Sequence, residues 1–425
     1  MAGRTTLAHR HPVLSMPSRS PALAFILATV LLDVIGIGLV IPVLPRLVGE
    51  LAGSRDAQAW WYGLLVISYG AMQFLCSPLL GALSDHWGRR PVLLAGIAGL
   101  ALMFLAPALS DSLWVLLASR LVGGAFAANL AVAQAYIADI TPAEHRAASF
   151  GKLGAVFGIA FMLGPALGGV LGQIDLRLPF FVAAALSGIN FAYGLLVLPE
   201  SLPQRERKRW NLMRANPFSA LAALARLKGV GRLVAVIFLV TLAQFLLHTT
   251  WALYTEFRYG WTPLNIGLSL FAVGAVAVLM QGFALPRLLR RYGETRLVLI
   301  GIASAMLAYL GYGLAQAGWI ALLIICLNLF AGLVGPTLQG LISRSVEAHE
   351  QGRAMGAVAA LGSLTAVIAP MLGTPMLAQV SQLPADDWRV GAPYYLCSAL
   401  TAIALILARR HFARQRHSPR VVALP

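Results

Sequence analysis

Charge is scarce in this 425-residue chain: only 11% of its residues are Asp, Glu, Lys or Arg, where a soluble domain carries roughly a quarter. That shortage excludes an ordinary soluble enzyme. Acids are scarcer still, 16 against 32 basic residues. Cysteine is almost absent, and Cys76, Cys326 and Cys397 all fall in apolar runs without paired spacing or neighbouring histidines. Neither a disulfide framework nor a metal site is expected from them. No Gly-Lys-Ser/Thr phosphate loop occurs either, which argues against ATP as the energy source.

What the chain has instead is long apolar runs, with 59% of its residues hydrophobic. A bilayer-spanning helix needs about 20 mostly apolar residues. Stretches of that kind predict twelve spans, at about 22–45, 60–82, 90–109, 113–138, 148–171, 179–198, 232–254, 262–286, 297–316, 319–343, 353–377 and 391–411. The first is too long for the apolar core of a signal peptide and carries Asp33 at its middle. The expected architecture is an all-α membrane protein of two six-helix bundles, 22–198 and 232–411. A basic linker over 199–231 joins them, and tails over 1–21 and 412–425 flank them.

The net charge of +16 would suggest a nucleic-acid partner on a soluble chain. Its distribution says otherwise. With alternate loops assigned to alternate sides, 26 basic residues share the side of the N-terminus, 5 lie opposite, and Arg120 alone sits within a span. Such an asymmetry places both termini in the cytoplasm of a cell whose inner membrane holds the protein, and leaves no charge to explain by nucleic acid.

Shifting the second half by 205 residues aligns Gly88 with Gly293, Gly96 with Gly301, Gly151 with Gly356, Pro165 with Pro370 and Gly168 with Gly373. Five coincidences at one offset indicate duplication. Parallel six-helix repeats describe a secondary transporter whose substrate site lies near the midplane, between the halves.

Three motifs carry mechanism. Between spans 2 and 3 the chain reads Gly81-Ala82-Leu83-Ser84-Asp85-His86-Trp87-Gly88-Arg89-Arg90-Pro91. Its glycines suit close helix approach and a tight turn, Asp85 can cap or pair near a helix end, and Arg89 and Arg90 hold the loop on the basic side. Span 5 carries Gly158, Gly164, Pro165, Gly168 and Gly169, a small-residue face for close packing with a proline that loosens the ladder. Span 1 holds Asp33, the only acid well inside any span. A carboxylate at that depth is costly unless it is paired or faces a hydrated cavity, so a functional role is the first reading and an ion pair with Arg120 the second. The two are compatible, since such a pair would tune the proton affinity of Asp33.

The loop between spans 2 and 3 resembles the signature of the major facilitator superfamily, and the span 5 stretch resembles the antiporter motif of its drug exporters. The segment around Asp33, Ser84 to Leu94, Tyr254 to Trp261 and His349 to Gly352 are similar to the tetracycline/proton antiporter group, over about 22–410. The resemblance implies that Gly81, Asp85, Gly88, Arg89 and Arg90 form a cytoplasmic latch that breaks as the halves rock. It implies functional roles for Asp33, Gln73 and Asp85, and Arg120 matches a basic position of the group. The best-known classes carry further intramembrane acids on helices 3 and 9 and a His on helix 8. Met103, Ala305 and Ala277 stand there in this chain, so that drug and proton site is not reproduced.

Proton coupling is therefore expected chiefly at Asp33, with Arg120, Asp139 and His248 as further candidates. Asp139 has a structural alternative as partner of Arg146, and His248 has one as a hydrogen-bonded core residue. The candidate substrate cavity comprises Gln73, Asn129, Gln134, Gln244, Trp251, Gln281, Asn328 and Gln339, polar or aromatic groups within spans. The expected function is proton-driven export of an amphipathic small molecule by a monomer, with the proton gradient in place of a cofactor. A metabolite importer or facilitator is the first rival, disfavoured by the span 5 motif. A receptor or scaffold that transports nothing is the second, disfavoured by the latch and by Asp33.

Overall fold

The structure is a computed structural model and describes residues 20–142, 145–207, 231–344 and 351–417. Most of the basic linker, residues 1–19 and 418–425 of the outer tails, and the His349-Glu350 part of the last quoted motif lie outside the described residues. All described elements are helical, as expected where each backbone polar group must be satisfied within its own segment in lipid.

In chain order the helices are α1 (Ser20–Val40), α2 (Leu44–Ala52), α3 (Arg55–Trp87), α4 (Arg89–Ala108), α5 (Leu113–Ala127), α6 (Asn129–Ile140), α7 (Arg146–Ile174) and α8 (Leu178–Val197). There follow α9 (Gly231–Tyr259), α10 (Pro263–Val278), a π-turn (Leu279–Ala284), α11 (Leu285–Leu314), α12 (Gly318–Leu327), α13 (Val334–Arg344), α14 (Gln351–Val380) and α15 (Ala392–His417). Among the described residues, ten helices are long and apolar enough to cross a membrane, or eleven when the bent pair Gly318–Leu327 and Ala331–Ile342 counts as one.

Several predicted boundaries move for visible reasons. Span 1 stops at Val40, before Pro42, and the chain re-enters as the short α2, which has Pro45 in its first turn and ends at Gly53 (φ 75°). The next helix begins earlier than predicted because the Ser54 hydroxyl caps it, accepting from Ala57 N at 3.3 Å. Span 4 divides into α5 and α6 at Ala128, and span 10 divides at Asn328 (φ −80°, ψ 53°). Hydropathy does not register either break, because the residues on both sides are apolar. Gly88 (φ 109°, ψ 158°) and Gly293 (φ 72°, ψ 163°) make equivalent turns, so the 205-residue offset relates two chain reversals that only glycine adopts without strain.

Three cores hold the helices. One contains residues of both halves, among them Leu39, Leu47 and Phe180 with Leu246, Trp251 and Tyr394. The other two are separate: Ile26, Val92, Tyr136 and Leu198 in the first half, and Val236, Val298, Val334 and Ala408 in the second. The separate cores lie toward the face that carries the Gly88 and Gly293 turns, here called the basic face. The shared core lies toward the opposite face.

Two helix seams join the halves, α7 against α10 and α3 against α14. Backbone approaches backbone along both. A Cβ on Gly169 would lie 2.6 Å from the Pro263 carbonyl oxygen, and one on Gly63 would lie 2.8 Å from Thr374 Cβ. The same 205-residue offset carries Gly63 to Leu268 and Gly169 to Thr374, so the seams are images of one another. Toward the basic face they part. A Cβ on Gly70 would still lie 3.0 Å from Ala366 O, and one on Gly274 2.7 Å from Met162 Cβ, but Gly81, Gly154, Gly158, Gly282 and Gly362 have nothing within 4 Å.

Candidate functional site

Asp33 lines a cavity of the first half together with Gln73, Asn129, Tyr69, Phe157 and Phe161, with about 900 Å³ of empty space including its mouth. Its partner is Asn190 of α8, whose side-chain amide donates to Asp33 Oδ1 at 2.9 Å and to Thr29 O at 3.1 Å. Asn190 is wholly buried. Asn190 Oδ1, Thr29 Oγ1 and Ser187 Oγ are buried without a hydrogen-bond partner among the described residues. The acid thus sits in a polar but under-bonded nest at the cavity wall, where gaining or losing a proton changes its bonding.

The ion pair between Asp33 and Arg120 does not form. The Arg120 guanidinium instead lies over the rings of Tyr69 at 5.7 Å and Phe180 at 5.9 Å from their centroids. Tyr69 lines the Asp33 cavity, so its ring stands between the cavity and the cation. The alternative pairing of Asp139 with Arg146 also fails. Arg146 donates to the carbonyls of Ala138 and Thr141, while Asp139, near the end of α6, accepts from Arg89 in the loop between α3 and α4.

That loop is built around Arg89, which is 7% exposed. Its guanidinium meets Asp85 at 2.6 Å, Ser84 Oγ at 2.7 Å and Asp139 at 3.0 Å, and its backbone N–H donates to Glu200 at 2.9 Å. Arg90 donates to Leu195 O at 2.6 Å. Gly81 has open space beside it, whereas Gly88 packs on Glu200 and Arg207. These contacts tie α3, α4, α6 and the end of α8 together, all within the first half. Sequence spacing finds Asp85, four residues from Arg89, but not Asp139 or Glu200, which are remote in the chain.

A second cavity, with about 890 Å³ of empty space including its mouth, lies in the second half and is lined by Gln244, His248, Gln281, Tyr309 and Asn328. Ala277 and Ala305 line it too. Two of the three departures from the antiporter group, Ala277 and Ala305, therefore fall on this wall, where the resemblance implies a His and an acid; Met103 lies on α4 of the first half. Two backbone irregularities of the second half meet here. Gln281, in the π-turn, donates to Gly332 O at 3.2 Å, and Asn328, at the helix break, accepts from Ser304 Oγ at 2.9 Å. Irregular backbone within a membrane is tolerated where it lines a cavity, and π-turns gather at functional sites. Neither irregularity was legible in hydropathy.

The cavities meet at one contact between halves. Phe161 of α7 lines the first, His248 of α9 lines the second, and their ring centroids are 5.9 Å apart. Phe245 flanks the histidine at 6.4 Å. His248 is thus a cavity residue rather than a hydrogen-bonded core residue.

Other expected site residues separate. Asn129 reaches the first cavity while donating to Leu93 O at 3.1 Å. Trp251 does not line the cavity: it is a core residue, donating to Ser269 Oγ at 2.9 Å amid the rings of Tyr312, Tyr394 and Trp261. Gln134 and Gln339 have exposed side chains and line neither cavity. Along α7, Gly164 and Gly168 pack against the backbone of α1 at Gly38 and Leu39, Pro165 touches Gly38, Gly169 meets α10, and Gly158 faces open space. The motif therefore seats one helix against two neighbours, one from each half. Gly169→Val should force the α7–α10 seam apart and lower transport by about 10-fold or more, because backbone cannot yield as a side chain does. Transport measured at matched protein level checks this.

A polytopic helical protein with facing cavities between two seamed halves, closed on one side and parted on the other, is a membrane carrier. The chain belongs to the Major Facilitator Superfamily, whose family profile matches residues 26–370 and 319–423. It is similar to tetracycline resistance protein class C of Escherichia coli, 41% identical over 88% of this chain and 94% of that protein. It is also similar to the class G protein of Vibrio anguillarum, 37% identical over 90% of this chain and 95% of that protein. Among solved structures, the human organic anion transporter MFSD10 matches with a TM-score of 0.67 and 25% identity, covering 92% of this chain and 100% of that one. The nucleoside transporter NupG, at 13% identity and a TM-score of 0.70, covers 92% of this chain and 99% of that one and shares the fold. The chain is accordingly a transporter of the drug/proton antiporter type, driven by the proton gradient, and not an enzyme.

Proposed function

We propose that this carrier exports an amphipathic small molecule in exchange for protons, by alternating access of a central site made of the two facing cavities. The observation that carries this reading is the half-buried Asp33 at the wall of a cavity that touches a second, uncharged one across the Phe161–His248 contact. Asp33 takes and releases the proton. The polar and aromatic wall of the other cavity, Gln244, His248, Gln281, Tyr309 and Asn328, recognises the substrate. Gln73 and Asn129 serve the proton side, and Arg120, behind Tyr69, sets the field there. Asp139 acts through Arg89 in the latch rather than as a proton carrier.

The basic face is cytoplasmic by its excess of Lys and Arg, so this structure is open inward and closed outward. Twelve spans in two six-helix halves follow when Pro263–Leu314 is counted as two helices across Gly293 and the bent pair as one. The boundaries proposed from sequence, 22–198 and 232–411 with a linker and tails in the cytoplasm, fit that reading. The site is complete within one chain, so a monomer in the inner membrane suffices.

Export is favoured over import because a carrier confers resistance by export, and resistance is what the relatives' names record. Tetracyclines belong in the substrate panel, but Ala277 and Ala305 leave the second cavity without a charge, which favours molecules recognised by hydrogen bonds and ring stacking. Expression in a pump-deficient bacterial host, tested against tetracyclines, phenicols, quinolones and dyes, should raise the inhibitory concentration of at least one class several-fold. No change for any class, with the protein in the membrane, would contradict the reading.

A further inference from the structure

A second acid, unused above, closes the outer end of the molecule. Gln58 of α3 is 5% exposed, and its side-chain amide spends both protons there, on Pro45 O at 2.9 Å and on Glu256 Oε1 of α9 at 3.2 Å. This hydrogen bond crosses from the first half to the second. Two more bonds cross beside it: Tyr62 donates to Thr249 O at 3.1 Å, and the Ser381 hydroxyl donates to Asp56. Glu256 Oε2 is buried with no hydrogen-bond partner among the described residues. The charged groups facing Glu256 are Arg46 and Glu50 of α2 and Arg55 of α3, and neither arginine forms an ion pair with it.

We propose that Glu256 is the gating acid of the outer gate, a residue that holds the closed gate poised to open because closure leaves its carboxylate half-bonded. A buried carboxylate with one neutral donor is poorly compensated, and water on the open side would satisfy its second oxygen. Closure is therefore held together by cross-half hydrogen bonds, those of Gln58, Tyr62 and Asp56 among them, and opposed by one under-bonded acid. The balance keeps the inward state from becoming a trap. This rests on the alternating-access reading above.

The sign of the effect separates gating from mere bracing. Glu256→Gln keeps the length and an oxygen for the Gln58 amide but removes the charge. If Glu256 only braces the seam, the weaker neutral bond loosens the outer gate. If it is the gating acid, the same change tightens it. Thr374→Cys, at the closed α3–α14 seam, reports the gate in a background with Cys76, Cys326 and Cys397 replaced by Ala. Whole cells are labelled with a membrane-impermeant maleimide from outside.

Glu256→Gln should slow labelling of Cys at 374 by about 5-fold or more and lower the maximal export rate, with the substrate KM at the inner face unchanged or lower. Gln58→Ala, which removes the bridge, should speed labelling. Labelling of the Glu256→Gln protein at the parental rate or faster would overturn the proposal. The labelling reads the gate even if no substrate is moved, so failure of the transport reading and failure of this one give different results.

Discussion

Replacing Asp33 by Asn is expected to lower proton-driven export by about 100-fold, the upper range of coupling between two ligands of one carrier, while the protein still folds and reaches the membrane. The geometry explains both halves of that result. Asn190 donates to Asp33 Oδ1, and an Asn side chain keeps an oxygen at that place, so the contact between α1 and α8 survives. What is lost is the group proposed to take the proton. Substrate exchange down its own gradient should persist, since the uncharged second cavity is untouched. Undiminished uphill export by Asp33→Asn at normal protein level would sink the assignment of coupling to this residue.

Arg89→Ala has the second large effect, on stability and transport together. One guanidinium holds Asp85, Ser84 and Asp139, and removing it leaves two acids facing each other across α3 and α6. Breaking a fully buried pair costs about 3–5 kcal/mol. The Asp85 and Asp139 side chains are 27% and 23% exposed, so about 2–3 kcal/mol is the better expectation after solvent screening. Thermal unfolding in detergent should fall by several degrees, and export should be lost. Arg89→Lys should recover only part of both, because an ammonium cannot serve the three partners in the guanidinium's geometry. An unchanged unfolding midpoint for Arg89→Ala would show that the network carries no load.

These residues also show what was legible in the sequence. Asp33 was legible because an acid within an apolar run has few physical explanations, and the Gly88 turn because glycine, arginine and proline punctuate it. Asn190 was not, because a neutral amide in a span looks the same whether it glues helices or holds an acid. Asp139 was misassigned to Arg146 because sequence offers near neighbours, whereas the fold brings Arg89 from 50 residues away. The ion pair of Asp33 with Arg120 failed for a related reason: as the only charges deep in spans they looked like partners, yet aromatic faces shelter the cation. Trp251 looked like cavity wall and is core, because aromatic residues serve either and only packing decides.

The spans were legible from apolar length, but their interruptions were not. The breaks at Ala128 and Asn328 and the π-turn at Leu279–Ala284 sit in apolar sequence. They arise from packing and from side-chain amides such as Gln281, which hydropathy averages away. The glycines aligned by one offset are legible in the sequence, and one pair packs equivalently inside each half, Gly373 on Leu246 and Thr250 of α9 as Gly168 on Leu39 of α1. The seams between the halves are not legible that way, because the offset carries their glycines, Gly63 and Gly169, onto Leu268 and Thr374.

In the proposed mechanism, proton movement through Asp33 drives substrate across the membrane. Everted inner-membrane vesicles, acidified inside by an imposed gradient, test it most directly once the substrate panel has supplied a molecule to follow. Wild-type vesicles should accumulate that molecule above its outside concentration and release protons from the lumen as they do so, and a protonophore or Asp33→Asn should stop both. Uphill accumulation that continues at full rate without a pH gradient, or in the Asp33→Asn protein, would contradict the account.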